Sequence, residues 1–145
     1  MNLKIDKMDE NHLKKISEEL KEFDEFWNVE ILKDEFSNEN SSYFVGLDEK
    51  NEILGFAGLW FNIDEAHIMN IAVKKEYRRN YIGQQLLDFL ISVAKNKNKE
   101  CITLEVSEKN EAAYNLYKKM EFEEVGRRKK YYNNQFDAII MTKKF

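Results

Sequence analysis

Four cations, Lys74, Lys75, Arg78 and Arg79, fall within six residues just before a stretch whose apolar residues take helical spacing from Gly83 onward. A helix N-terminus carries unpaired N–H groups and the positive end of the peptide dipole, so this arrangement suits a pyrophosphate. On charge alone it suits a solvated basic loop equally. Further along, Ile102, Leu104 and Val106 alternate onto one strand face and leave Glu105 with Cys101 and Thr103 on the other. If that strand is interior, a carboxylate there must be hydrated, paired or functional; the plain alternative is a glutamate at a strand end facing water. Tyr117 shares an apolar helical stripe with Ala113 and Met120, where a phenol either packs or donates a proton. His67 is a natural base near neutral pH, and alternation puts it on the side of Met69 and Ile71, as a packed or substrate-lining residue before a base.

The elements that must position these groups follow from periodicity. A strand at Leu3 to Asp6 precedes a helix from about Asp9 to Phe23, with Leu13, Ile16, Leu20 and Phe23 on one stripe, and a shorter helix at Val29 to Phe36. Between them the aromatic cluster Phe23-Asp24-Glu25-Phe26-Trp27 either lines a cleft or plugs the core. Tyr43 to Leu47 and Ile53 to Phe61 read as an antiparallel pair across the turn Asp48-Glu49-Lys50-Asn51, and Ala66 to Val73 as a strand covered on both faces. Leu86, Leu87, Leu90, Val93 and Ala94 define a helix that Asn96 and Asn98 close, before a strand from Cys101 to Val106. Asn110 caps the helix that carries Ala113, Leu116, Tyr117 and Met120, and strands at Phe122 to Tyr131 and Phe136 to Thr142 end the chain. The order gives an α/β fold: a mixed, mostly antiparallel sheet of about seven strands with a central parallel pair, flanked by about four helices.

A chain of 145 residues is one domain's length, and 43% hydrophobic with 34% charged residues describes a folded chain rather than a disordered one. The single cysteine, Cys101, and the two histidines, His12 and His67, argue against a disulfide or a metal cluster, so no metal is expected. A net charge of −4 argues against broad nucleic-acid binding, and no run approaches the ~20 apolar residues of a membrane span. The N-terminus shows no signal-peptide core, which makes a cytoplasmic location the expectation.

Arg78-Arg79-Asn80-Tyr81-Ile82-Gly83 resembles the acetyl-CoA motif of the GNAT acetyltransferase family: Gln or Arg, two variable residues, Gly, any residue, then Gly or Ala. Asn70-Ile71-Ala72-Val73 looks like the strand whose main chain pairs with the pantetheine arm in that family. The resemblance implies a GNAT fold and acetyl-CoA as cosubstrate. Its contacts would be Ile71, Ala72, Val73, Arg78, Arg79, Asn80, Tyr81, Ile82, Gly83 and Gln84, with N–H groups around Ile71 to Val73 facing the oxyanion. Tyr81 stands where the first motif glycine is expected, so it must hold an ordinary conformation or accept a positive φ.

Leu104-Glu105-Val106, Asn110 to Tyr117, Phe122, Arg127 to Tyr132 and Asp137 to Met141 are similar to the branch of that family that acetylates the N-terminal alanine of a small-subunit ribosomal protein. This likeness spans roughly residues 65–141. It implies Glu105 as proton acceptor, Tyr117 as proton donor and Asn110 as a side-chain contact to the cosubstrate, while Glu121 stands where the family usually has glycine. Phe26, Trp27, His67, Asn70 and Tyr131 are the expected acceptor-side residues. The implied partner is a protein or peptide N-terminus, of a ribosomal protein in particular. Another amine as acceptor (a polyamine, an aminoglycoside or a lysine side chain) and a non-catalytic acyl-CoA-binding domain are the alternatives.

Overall fold

A computed structural model describes residues 3–23, 29–132 and 135–145. Seven strands, β1 (Lys4–Lys7), β2 (Ser41–Leu47), β3 (Ile53–Phe61), β4 (Glu65–Val73), β5 (Cys101–Ser107), β6 (Glu123–Tyr132) and β7 (Phe136–Lys144), form one sheet in the order β1-β2-β3-β4-β5-β7-β6. Among the described residues only β4 and β5 run parallel. Helices α3 (Ile82–Asn96) and α4 (Glu111–Lys119) pack on one face, and α1 (Glu10–Glu18) and α2 (Val29–Ser37) cover β2 and β3 on the other. The expected α/β architecture is therefore present.

Helix α3 forms where the 3.6-residue period is cleanest and buries Leu86, Leu87, Leu90 and Ala94 completely. Each fully buried leucine contributes about 2 kcal/mol of apolar transfer, so truncating any of Leu86, Leu87 or Leu90 to alanine damages this layer. The helix ends where Asn98 turns left-handed (φ 59°), with Asn98 N–H donating to Lys95 O (2.9 Å) and Lys99 N–H to Ala94 O (3.1 Å). Glu121 (φ 70°) closes α4 in the same way: its N–H donates to Lys118 O and that of Phe122 to Tyr117 O. The expected glycine turn is thus kept by an L residue at some cost in strain.

The first helix is shorter than its apolar stripe predicts. Asp9 caps α1, accepting from His12 N–H (2.8 Å) while His12 Nδ1 accepts from Asp9 N–H (3.1 Å). At Glu19 the backbone leaves the helical basin (φ −104°, ψ 17°), and a tighter 3₁₀ turn at Leu20–Glu22 follows. That turn brings Phe23 edge-on to Phe56 of β3, with ring centroids 5.1 Å apart, so core packing overrides the helical period.

Two irregularities of the sheet matter for function. Strand β4 pairs with β5 only at Glu65↔Cys101, Ala66↔Ile102 and His67↔Thr103. Beyond those residues β4 stays with β3 and β5 with β7, so the parallel pair splays open into a gap. The second is a bulge: Leu59 pairs with Ile68 and Gly58 with Asn70, which leaves Met69 as the extra residue. Because of it, Ala66, Ile68 and Ile71 all pack toward α3, and His67 ends up on the opposite face from Ile71. The expectation that His67 and Ile71 share a face fails here, because the extra residue reverses the alternation.

Candidate active site

A cleft of 860 Å³ occupies the gap. Ile71, Ala72 and Val73 form its β4 wall; Arg78, Arg79, Tyr81, Ile82, Gly83 and Gln84 form one end; Asn110 and the first turns of α4 form the other. These expected contacts are therefore brought together. Asn80 is not among them: it is exposed, and its Nδ2 donates to Tyr77 O at 3.3 Å. Its place in the motif did not translate into a place in the cleft.

The turn before α3 achieves its shape through two left-handed L residues, Arg79 (φ 70°) and Tyr81 (φ 61°, ψ 16°). Tyr81 is the N-cap residue of α3 and no side chain caps the helix, while the first intrahelical bond runs from Gln85 N–H to Tyr81 O (3.0 Å). The N–H groups of Ile82, Gly83 and Gln84 thus stand at an uncapped positive helix end beside the cleft, which is the chemistry a diphosphate needs. Tyr81 accepts the strained conformation that the motif glycine would take freely.

The four cations divide. Lys74 is buried, and its Nζ lies 2.7 Å from Glu19 Oε2 and 5.8 Å from the centroid of the Phe23 ring. The Arg78 guanidinium donates to Phe23 O at 2.9 Å, so these two tie the turn to the end of the first helical segment. Only Lys75 and Arg79 carry exposed charge without such a tether. The aromatic Phe23 itself lines the cleft and plugs the core at once.

Tyr77, Ala112, Ala113, Leu116 and Lys119 also line the cleft and were missed. The signal for Ala112 and Ala113 was small residues in the first turn of a capped helix. Asn110 Oδ1 accepts from Ala113 N–H (3.1 Å), so Asn110 is a helix cap as well as a cleft residue. Glu76, whose charge is the largest influence, pushes the Tyr77 phenol above its ordinary range.

Glu105 and Tyr117 are not among the residues that line this cleft, and they lie on opposite faces of the sheet. Ile102, Leu104 and Val106 are buried under α3 and α4, as alternation required, and the Glu105 side chain on the open face is 30% exposed. Its Oε1 sits 3.0 Å from Arg128 Nε, and the Arg128 guanidinium lies 5.6 Å from the centroid of the exposed Tyr131 ring. Tyr117 is half-buried on α4, 5.8 Å ring to ring from Phe122.

His67 does not line the cleft; its Nε2 is 3.2 Å from Glu65 Oε2 and its ring packs 5.6 Å from Trp60. Asn70 bonds to Glu35 and Tyr43, neither of which sequence reasoning singled out. Phe26 and Trp27 lie outside the described residues. Among the described residues no His, Cys, Asp and Glu group forms a metal-holding cluster, and no helix is long and apolar enough to cross a membrane.

Comparison with known proteins adds an independent finding. Residues 10–122 match the model of the Acetyltransferase (GNAT) family. A ribosomal protein bS18-alanine N-acetyltransferase from Haemophilus influenzae is 39% identical over 80% of this chain and 80% of its own. A Bacillus subtilis relative, provisionally named for the same activity, is 31% identical over 97% of this chain and 91% of its own. The crystal structure of the ribosomal-protein-S18-alanine N-acetyltransferase from Escherichia coli superposes with a TM-score of 0.88 at 28% identity, over 97% of this chain and 92% of that one.

Proposed function

The chain belongs to the GNAT acetyltransferase family, and from that premise we propose that it acetylates the N-terminal α-amino group of a protein, with a ribosomal protein as the leading acceptor. At the coarser level it is an acetyl-CoA-dependent N-acetyltransferase. The observation that carries the reading is the splayed β4–β5 pair, whose cleft ends on the uncapped N-terminus of α3. The thioester arm would lie along Ile71 to Val73 and the diphosphate against the N–H groups from Arg79 to Gln84. Relatives named for acting on an alanine of ribosomal protein bS18 support the choice of acceptor.

In this reading the amine attacks the thioester carbonyl from the open face; the C–N bond forms, the C–S bond breaks, and the sulfur leaves carrying the electron pair. Glu105 takes the proton from the attacking nitrogen, directly or through one water, and Tyr117 gives its phenolic proton to the departing sulfur. Main-chain N–H groups around Ile71 to Val73 stabilise the oxyanion. For its carboxylate to act, Glu105 must exchange the Arg128 contact for the amine. An α-amine, with a pKa near ~8 against ~10.4 for lysine, is a few hundredfold more often neutral at pH 7 and asks less of such a base.

The test is acetyl transfer, read as CoA release and product mass, to a peptide beginning Ala-Arg compared with spermine and kanamycin. The peptide is expected to be preferred in kcat/KM. A preference for either small amine would replace the protein N-terminus as acceptor.

A further inference from the structure

Glu35 of α2, Tyr43 of β2 and Asn70 of β4 converge on one another on the face of the sheet that α1 and α2 cover. The Tyr43 hydroxyl donates to Glu35 Oε2, and Asn70 Nδ2 donates to that same oxygen at 2.7 Å and to the Tyr43 hydroxyl oxygen at 2.8 Å. The Tyr43 ring reaches β4 by crossing Gly58 of β3, where an added Cβ would stand 2.3 Å from the ring. Tyr43 is 3% exposed, and burial, followed by its bond to Glu35, pushes its phenol far above the ordinary range, so it stays a donor.

Two neutral donors therefore fix one oxygen of a half-buried carboxylate. Among the described residues none donates to Oε1, and no cation pairs with Glu35. A carboxylate whose partners are neutral donors has no compensating cation beside it and so attracts one. Its position fits the reaction: Asn70 directly precedes Ile71 on the cleft wall and faces the same side as Glu105 across the gap.

We propose that Glu35, aimed by Tyr43 and Asn70, is the contact that captures the acceptor's cationic amino group, its Oε1 accepting an N–H of the amine while Glu105 waits across the gap. This rests on the reading that the chain transfers acetyl to an amine, and it adds the residue that recruits that amine.

The test compares a cationic acceptor with hydroxylamine, a nucleophile uncharged at neutral pH. In Glu35→Gln, which keeps the side-chain shape, the peptide KM should rise about tenfold while acetyl-CoA affinity and hydroxylamine acetylation stay at the wild-type level. Tyr43→Phe, which leaves the charge but loosens its aim, should give a smaller rise confined to the cationic acceptor, and stands in if Glu35→Gln does not fold. A peptide KM within twofold of wild type, or an equal loss with both nucleophiles, overturns the proposal. If the wild type takes spermine and not the peptide, the protein-acceptor reading fails and the same comparison with spermine decides the role of Glu35. If it acetylates no cationic amine at all, both fall.

Discussion

On the β4 flank of the gap the trio of Glu35, Tyr43 and Asn70 is buried or half-buried and joined by hydrogen bonds from neutral donors, whereas on the β5 flank Glu105 and Arg128 are exposed and joined as an ion pair. Helices α1 and α2 cover β2 and β3, so Tyr43 and Asn70 must find protein partners. No described helix covers the corresponding face of β5, β7 and β6, and there Glu105 meets Arg128 in contact with solvent. The difference teaches how labour is divided in such a site. A trio anchored on the buried Tyr43 resists rearrangement, because stranding that phenol costs about 1–3 kcal/mol, while an exposed pair contributes about 0–1 kcal/mol and is cheap to exchange for a substrate. A group that must change partners in each turnover belongs on the second flank.

The largest effect should come from the exposed flank, through chemistry rather than stability. Glu105→Gln is expected to lower kcat by about 10²–10⁴-fold, the usual reach of a general base, with thermal stability and acetyl-CoA affinity nearly unchanged. A kcat within a few-fold of wild type would take the base away from Glu105.

Gly58→Ala probes the buried flank. The added methyl meets the Tyr43 ring at 2.3 Å, so overpacking should cost about 1–3 kcal/mol in chemical denaturation and break the trio. An unchanged midpoint would mean that the ring has room to move and that this flank is not rigid.

The turn between the flanks gives a gain. Replacing Tyr81 by glycine removes a left-handed L residue and should stabilise the fold by about 1 kcal/mol while acetyl-CoA still binds by titration calorimetry. Glu121→Gly, at the left-handed turn after α4, should give a similar gain with no change in cosubstrate affinity. Loss of binding in the Tyr81 variant alone would mark the phenol as a contact rather than a strained spacer.

The smallest effect lies at the far edge of the exposed flank. The backbone N–H of Lys130 donates to Asp137 at 2.9 Å, and with the nearby Lys129 and Arg127 it holds the carboxyl below its ordinary range. A lowered folded pKa adds stability above the unfolded value and loses it as pH falls through the folded one. Asp137→Asn should therefore be slightly less stable than wild type at neutral pH, the two converging in acid; a difference that persists in acid would assign the effect to packing.

Much of the architecture was legible because it is periodic. Alternation in β5 correctly separated Glu105 from Ile102, Leu104 and Val106, and helical spacing gave α3 with its closing Asn98. The expected cosubstrate contacts other than Asn80 line one cleft, because all but Asn110 sit on contiguous chain beside a strand end and a helix start, and Asn110 caps the helix at the other end of the cleft. Periodicity misled where packing intervened: α1 stops at Glu18 so that Phe23 reaches Phe56, and the bulge at Met69 turns His67 away from Ile71.

The sequence by itself determined the order of elements, the buried face of each regular one and the cation-rich turn ahead of Gly83, all of which depend on neighbours a few residues apart. Only the tertiary structure decided that Lys74 turns inward to Glu19, that β4 and β5 part beyond His67 and Thr103, and that Glu35 and Tyr43 meet Asn70. Those contacts join residues tens of positions apart, and strand order and register, which bring them together, are set by the packing of the whole sheet rather than by any local pattern.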